Sequence, residues 1–113
     1  MAGHWVVFIT AGSADEGRRI AHVLVDERLA ACVNLVSPVE SVYHWQGRVQ
    51  SDREVLLIAK TSAHRFEHLV ARVRQLHSYQ VPEIIALPIL AGAADYLQWI
   101  DAETQASTGT QEP

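Results

Sequence analysis

Tyr43-His-Trp-Gln-Gly-Arg-Val49 is the pivot of the chain. Gln46-Gly47 reads as a tight turn, and long strand-forming segments run into it from both sides. Upstream, Ala31 to Trp45 is rich in valine and aromatic residues, with Pro38 interrupting it. Proline has no N–H to give a sheet and is confined there to edges and bulges, so this strand is expected to bend or break at Pro38. Downstream, Arg48 to Thr61 returns as a second long strand. The pair makes a long hairpin.

Working outward, His4 to Thr10 reads as a short strand through Val6, Val7, Phe8 and Ile9, and Ala11-Gly12 ends it. Ser13-Ala-Asp-Glu16 is a capping-box pattern, in which the Ser13 hydroxyl and the Glu16 carboxylate satisfy free N–H groups at a helix start. Ile20, Ala21, Leu24 and Val25 then share one stripe of a helix predicted to end near Leu29-Ala30. Beyond the hairpin, Ser62 is the expected cap of a second helix, with Phe66, Leu69, Val70, Val73 and Leu76 at helical spacing. Glu83 to Leu90 reads as a fourth strand and Ala93 to Asp101 as a short terminal helix. The order β-α-β-β-α-β plus a final helix predicts an α+β, ferredoxin-like sandwich. Residues 1–102 form its single domain, and 103–113 read as a polar, flexible tail.

With 113 residues there is room for one core, and 49% hydrophobic against 19% charged residues fits a globular protein. A net charge of −4 with nine scattered basic residues argues against nucleic acid, because counterion-release binding needs clustered Lys and Arg. No apolar run approaches the ~20 residues that span a bilayer. Met1-Ala-Gly-His-Trp5 lacks a basic segment followed by an apolar one, so no secretory signal is expected. Cys32 is the one cysteine and allows no intrachain disulfide. The expected location is the cytoplasm.

Three segments, Val6 to Ile9, Val55 to Ala59 and Ile84 to Leu87, are apolar on both strand faces. Two helices on one side of a ferredoxin-like sheet cover one face only, and a half-exposed strand should alternate. The uncovered aliphatic face, together with the free edges of the hairpin, predicts closure by neighbouring subunits.

Candidate chemistry concentrates in His77-Ser-Tyr-Gln-Val-Pro-Glu83, where an imidazole, a phenol and a carboxylate lie between a helix end and an apolar strand. His77 suits either the negative end of the helix dipole or a site shared with Tyr79 and Glu83. His77 and Cys32 are the candidate ligands of a borderline or soft divalent metal, although a lone cysteine is also an ordinary small core residue. Glu54 and Lys60 have the same parity and are expected on one sheet face, with Leu56 and Ile58 between. Tyr43 and Trp45 offer an amphipathic wall near the hairpin tip. His64-Arg-Phe-Glu-His68 matches a zinc-protease spacing, but the stripe through Phe66, Leu69 and Val73 turns both histidines toward solvent. No nucleophile with an adjacent base is identifiable, so no enzymatic activity is expected.

Taken together, Ala30-Ala-Cys-Val-Asn34, Ser41-Val-Tyr-His-Trp-Gln-Gly47, Glu54 with Lys60-Thr61, His77-x-Tyr-x-Val-Pro-Glu-Ile84 and Tyr96-Leu-Gln-Trp-Ile100 resemble the divalent cation tolerance CutA family, in order and across nearly the whole chain. The resemblance implies a ferredoxin-like subunit of a compact homotrimer, similar in architecture to PII signalling proteins. It implies a cytoplasmic, non-enzymatic role in tolerance of copper and other divalent metals. Carried to this chain, the family's polar positions are Tyr43, Trp45, Glu54, Lys60, His77, Tyr79 and Glu83, expected at clefts between subunits. Some bacterial members associated with copper carry a cysteine and a second histidine where this chain has Ile9 and Leu76, so weak Cu(II) binding and no organic cofactor are expected. The alternative function is a PII-like trimer that binds a small anionic ligand or a protein in those clefts.

Overall fold

The computed structural model describes residues 3–105. Its strands are β1 (His4–Ala11), β2 (Cys32–Trp45), β3 (Arg48–Ser62) and β4 (Ile84–Pro88). Its helices are α1 (Ala14–Asp26), α2 (Phe66–Leu76) and α3 (Ala94–Glu103), with a 3-10 turn over Ala63–Arg65 before α2. The strands make one antiparallel sheet in the order β2-β3-β1-β4, the ferredoxin-like arrangement. No helix among the described residues is long and apolar enough to cross a membrane.

Strand parity builds the core. Val7, Ile9 and Ala11 of β1 and Val55, Leu57 and Ala59 of β3 point to one face and are buried against Ile20, Ala21 and Leu24 of α1 and Leu69 and Val73 of α2. A β-carbon at Gly17 would stand 3.3 Å from Leu57 and Val55, so α1 crosses the sheet where its own backbone can come closest. Leu29 N–H bonds Leu24 O and Arg28 N–H bonds Val25 O, with Arg28 left-handed at φ 61°. This Schellman geometry stops α1 at Asp26, three residues earlier than its apolar stripe suggests.

Ser13 accepts from Glu16 N–H at 3.1 Å, as a helix cap should. The Glu16 carboxylate does not complete the box with Ser13. Ser62, expected to cap the second helix, makes no cap hydrogen bond. Its hydroxyl lies 2.6 Å from Thr104, whose own hydroxyl donates to Ile100 O, so Ser62 is the donor of the pair. Thr104 is fully buried, and α3 continues through Ala102 and Glu103. The domain therefore extends past 102, because this buried hydroxyl pair fastens the end of α3 to the end of β3. The rest of the expected tail, 106–113, lies outside the described residues.

The other sheet face is covered only near α3. Ile85 and Leu87, on the face opposite the core, are 54% and 56% exposed. β1 pairs with Val55–Ser62 of β3, so Arg48–Glu54 pairs with β2 alone and forms a two-stranded arm. Val42 and Val49 on that arm are 67% and 71% exposed. An isolated two-stranded ribbon is marginal in water, so the arm lacks support from its own chain.

Candidate functional site

A register change in β2 creates the site. Cys32, Asn34 and Val36 lie opposite Lys60, Ile58 and Leu56, whereas Val39, Ser41, Tyr43 and Trp45 lie opposite Glu54, Asp52, Gln50 and Arg48. The partners on β3 are even-numbered throughout, but β2 switches from even to odd between Val36 and Val39, across Pro38. One extra residue in a strand reverses the facing of every side chain beyond it. The bulge thus brings Tyr43 and Trp45 onto the sheet face that carries Glu54.

The segment after α2 supplies the other wall. His77 is buried, with Nε2 2.6 Å from Thr10 O and Nδ1 3.0 Å from Tyr79 N. A carbonyl only accepts and a backbone N–H only donates, so the ring proton sits on Nε2 and the Nδ1 lone pair is occupied. One residue on, Ser78 gives its N–H and hydroxyl to the two oxygens of Glu16, at 2.7 and 3.1 Å. Burial pushes the Glu16 carboxyl up. The Ser78 N–H and hydroxyl, with Gly12 N–H, outweigh it and hold Glu16 below the ordinary carboxylate range. So fastened, the loop lays Tyr79 against His77, ring centroids 4.7 Å apart, and its hydroxyl donates to Glu54 at 2.7 Å.

Between loop and arm opens a cavity of about 670 Å³, lined by Thr10, Ser41, Val42, Tyr43, Trp45, Glu54, Tyr79, Val81 and Glu83. Its charged lining is acidic: Glu54 and Glu83, with no lysine or arginine among them. Tyr43 donates to Asp52 at the rim. That hydrogen bond, then burial and the charges of Asp52 and Glu54, push the Tyr43 phenol up. Burial, the Glu54 hydrogen bond and the charges of Glu54 and Glu16 raise Tyr79 further still. Both phenols therefore stay protonated across the neutral range.

Of the residues singled out from sequence, Tyr43, Trp45, Glu54, Tyr79 and Glu83 converge on this cavity, and His77 braces it from beneath. Lys60 does not join them. It shares the sheet face with Glu54, but six residues of strand separate them by about 20 Å. There its ammonium donates to Asn34 and sits 4.0 Å from Cys32 Sγ. Burial, and after it the neighbouring Cys32 thiol, raises the phenol of Tyr96 on α3.

The paired metal ligands fare worse. Thr10, which holds His77, is opposite Leu56, and Cys32 is opposite Lys60. Four residues along β3 keep His77 and Cys32 at least about 13 Å apart, far beyond shared coordination of one ion. His77 also has no lone pair to spare. In the fold it fastens a loop, and the donor set His77 plus Cys32 does not fit a metal within one chain. His64 and His68 are exposed, and among the described residues no group of three or more His, Cys, Asp or Glu could hold an ion.

Glu16, Thr10, Ser78 and Asp52 were not singled out from sequence. Glu16 already had a local use in the capping box, and the partner that claims it lies 62 residues away. Asp52 had a signal available, since parity places it one step from Glu54 on the same face.

The profile of the CutA1 divalent ion tolerance protein family matches residues 5–103. The chain is 52% identical over 99 residues to the divalent-cation tolerance protein CutA of Thermus thermophilus, covering 88% of this chain and 96% of that protein. It is 48% identical over 100 residues to the chloroplastic protein CutA of Arabidopsis thaliana, covering 88% of this chain and 55% of that longer protein. It superposes on the crystal structure of CutA1 from Oryza sativa with a TM-score of 0.91 at 44% identity, over 94% of this chain and 97% of that one.

Proposed function

The chain belongs to the CutA1 divalent ion tolerance family, and from that premise we propose that it acts as a non-enzymatic, cytoplasmic homotrimer in tolerance of divalent cations, copper among them. The observation that carries the reading is the acidic cleft beside the arm, where Glu54 and Glu83 face the cavity without a basic residue in its lining. Such a cleft attracts cations and repels anions. The alternative, a PII-like trimer holding a small anion or a protein, would rely on Lys60, which sits at the far end of the face and is engaged by Asn34. The anionic ligand is the weaker fit.

Trimer formation is supported by the aliphatic sheet face and the arm. Ile85, Leu87 and Val36 would be covered by neighbours, and the arm would gain the packing that its own chain withholds. The cytoplasmic placement leans on Cys32 being a free thiol. Divalent ions are assigned to the cleft carboxylates as weak oxygen ligands, and no copper route through His77 is included.

Sedimentation tests the assembly: a species of three chains is expected at micromolar concentration, and a stable single chain refutes it. Isothermal titration of the assembled protein with Mn(II) and Cu(II) tests the cleft. Weak saturable uptake should fall in Glu54→Gln and persist in Cys32→Ser. No uptake, or uptake lost only in Cys32→Ser, overturns the assignment.

A further inference from the structure

We propose that His77 is a pH-sensitive latch on the loop that follows α2. At neutral pH its unprotonated Nδ1 holds the Tyr79 backbone. In mild acid the ring takes a proton there, offers it to Glu16 and lets residue 79 go. The neutral ring has both nitrogens committed: Nε2–H donates to Thr10 O at 2.6 Å, and Nδ1 accepts Tyr79 N–H at 3.0 Å. A second proton converts Nδ1 from acceptor to donor, and two donors cannot share one hydrogen bond. Turning the ring over brings no relief, because both nitrogens of an imidazolium carry protons while Tyr79 N–H still needs an acceptor.

A receiver for the new proton already stands beside it. Glu16 Oε2 lies 3.6 Å from Nδ1, just beyond bonding reach, so a small shift of ring or carboxylate closes the gap. Ser78 N–H and its hydroxyl occupy one site on each Glu16 oxygen, and a carboxylate has about four such sites. Glu16 therefore accepts from the imidazolium without giving up Ser78. Its carboxyl is held below the ordinary range, so it is still ionised in the window where histidines titrate.

The other groups facing the ring come from every element around it. β1 presents the Thr10 carbonyl, and α2 ends here with its carbonyls favouring positive charge, His77 N–H on Val73 O at 2.8 Å. Besides Glu16, α1 sends Arg19 to Leu76 O at 3.1 Å, a positive charge that opposes the imidazolium. The Tyr79 ring lies beside His77, and behind it Glu54 of β3 accepts the Tyr79 hydroxyl at 2.7 Å. All of these belong to one chain, and the His77 side chain has no exposed surface. Subunits packed on the open sheet face and the arm do not touch the ring.

The test is amide hydrogen exchange of the full chain as it assembles in solution, resolved by NMR from about pH 8 to about pH 5 and divided by the intrinsic rate at each pH. Tyr79 protection is expected to fall about five- to tenfold across this range, while Ser78, still on Glu16, keeps its own. His77→Asn puts an oxygen that does not titrate where Nδ1 was, and asparagine readily accepts from the N–H two residues on. Tyr79 protection should then be independent of pH. If His77→Asn fails to assemble, the ring nitrogen shifts of wild-type His77 give a second reading, with a midpoint expected to coincide with that of the Tyr79 amide. Flat Tyr79 protection, a fall that survives in His77→Asn, a fall shared equally by Ser78, or a His77 ring that stays neutral while Tyr79 loosens overturns the latch.

Discussion

Replacing Glu16 by glutamine tests whether the loop that carries Tyr79 is held by a charge. In the native chain, the Glu16 side chain is 12% exposed and receives Ser78 N–H at 2.7 Å and the Ser78 hydroxyl at 3.1 Å. Hydrogen bonds to a charged group contribute about 1.5–3 kcal/mol each, and neutral ones about 0.5–1.5. Glutamine keeps one oxygen and turns an amide donor toward the other Ser78 donor, so one charged bond is lost and the remaining one weakens. A loss of about 2 kcal/mol follows. Its pH dependence has a definite sign. The Glu16 carboxyl is held below its ordinary value in the folded protein, so its contribution is complete above the unfolded pKa, about 4.3. It disappears as pH falls through the lower folded value. Urea unfolding at fixed chain concentration should therefore show the full gap between wild type and Glu16→Gln at pH 7, shrinking below about pH 4. Equal stabilities at pH 7, or a gap unchanged down to pH 3, would refute the charged latch.

Gly47 stands at φ +79° with nothing near its missing side chain, so Gly47→Ala should cost about 1 kcal/mol of backbone strain alone, read as a lower urea midpoint. A β-carbon at Gly12 would approach the Tyr79 hydroxyl to 3.2 Å. Gly12→Val is expected to push that ring off Glu54 and to weaken the divalent-cation uptake proposed for the cleft several-fold at unchanged assembly, checked by calorimetry beside sedimentation. Thr104→Val removes the nearer acceptor of buried Ser62, leaving Asp101 at 3.4 Å, and should cost about 1 kcal/mol in urea unfolding, which would be near zero if α3 were a frayed end.

What could be read from the chain alone was whatever depends on neighbours in sequence. The turn at Gln46-Gly47, the Ser13 cap, the helical stripes and the interruption at Pro38 are short-range effects of φ restriction, capping and periodicity, and together they fix the order of elements. Parity also placed Glu54 and Lys60 on one face correctly. Tertiary structure decided everything that depends on distance through space. The one-residue slip at the bulge determined which way Tyr43 and Trp45 face, and no local preference announces how large such a slip will be. Packing gave Glu16 to Ser78 instead of Ser13, and Ser62 to Thr104 instead of the second helix. It also parted His77 from Cys32, two residues whose chemistry suggested a common metal, because a buried ring nitrogen takes the nearest backbone partner that the fold presents.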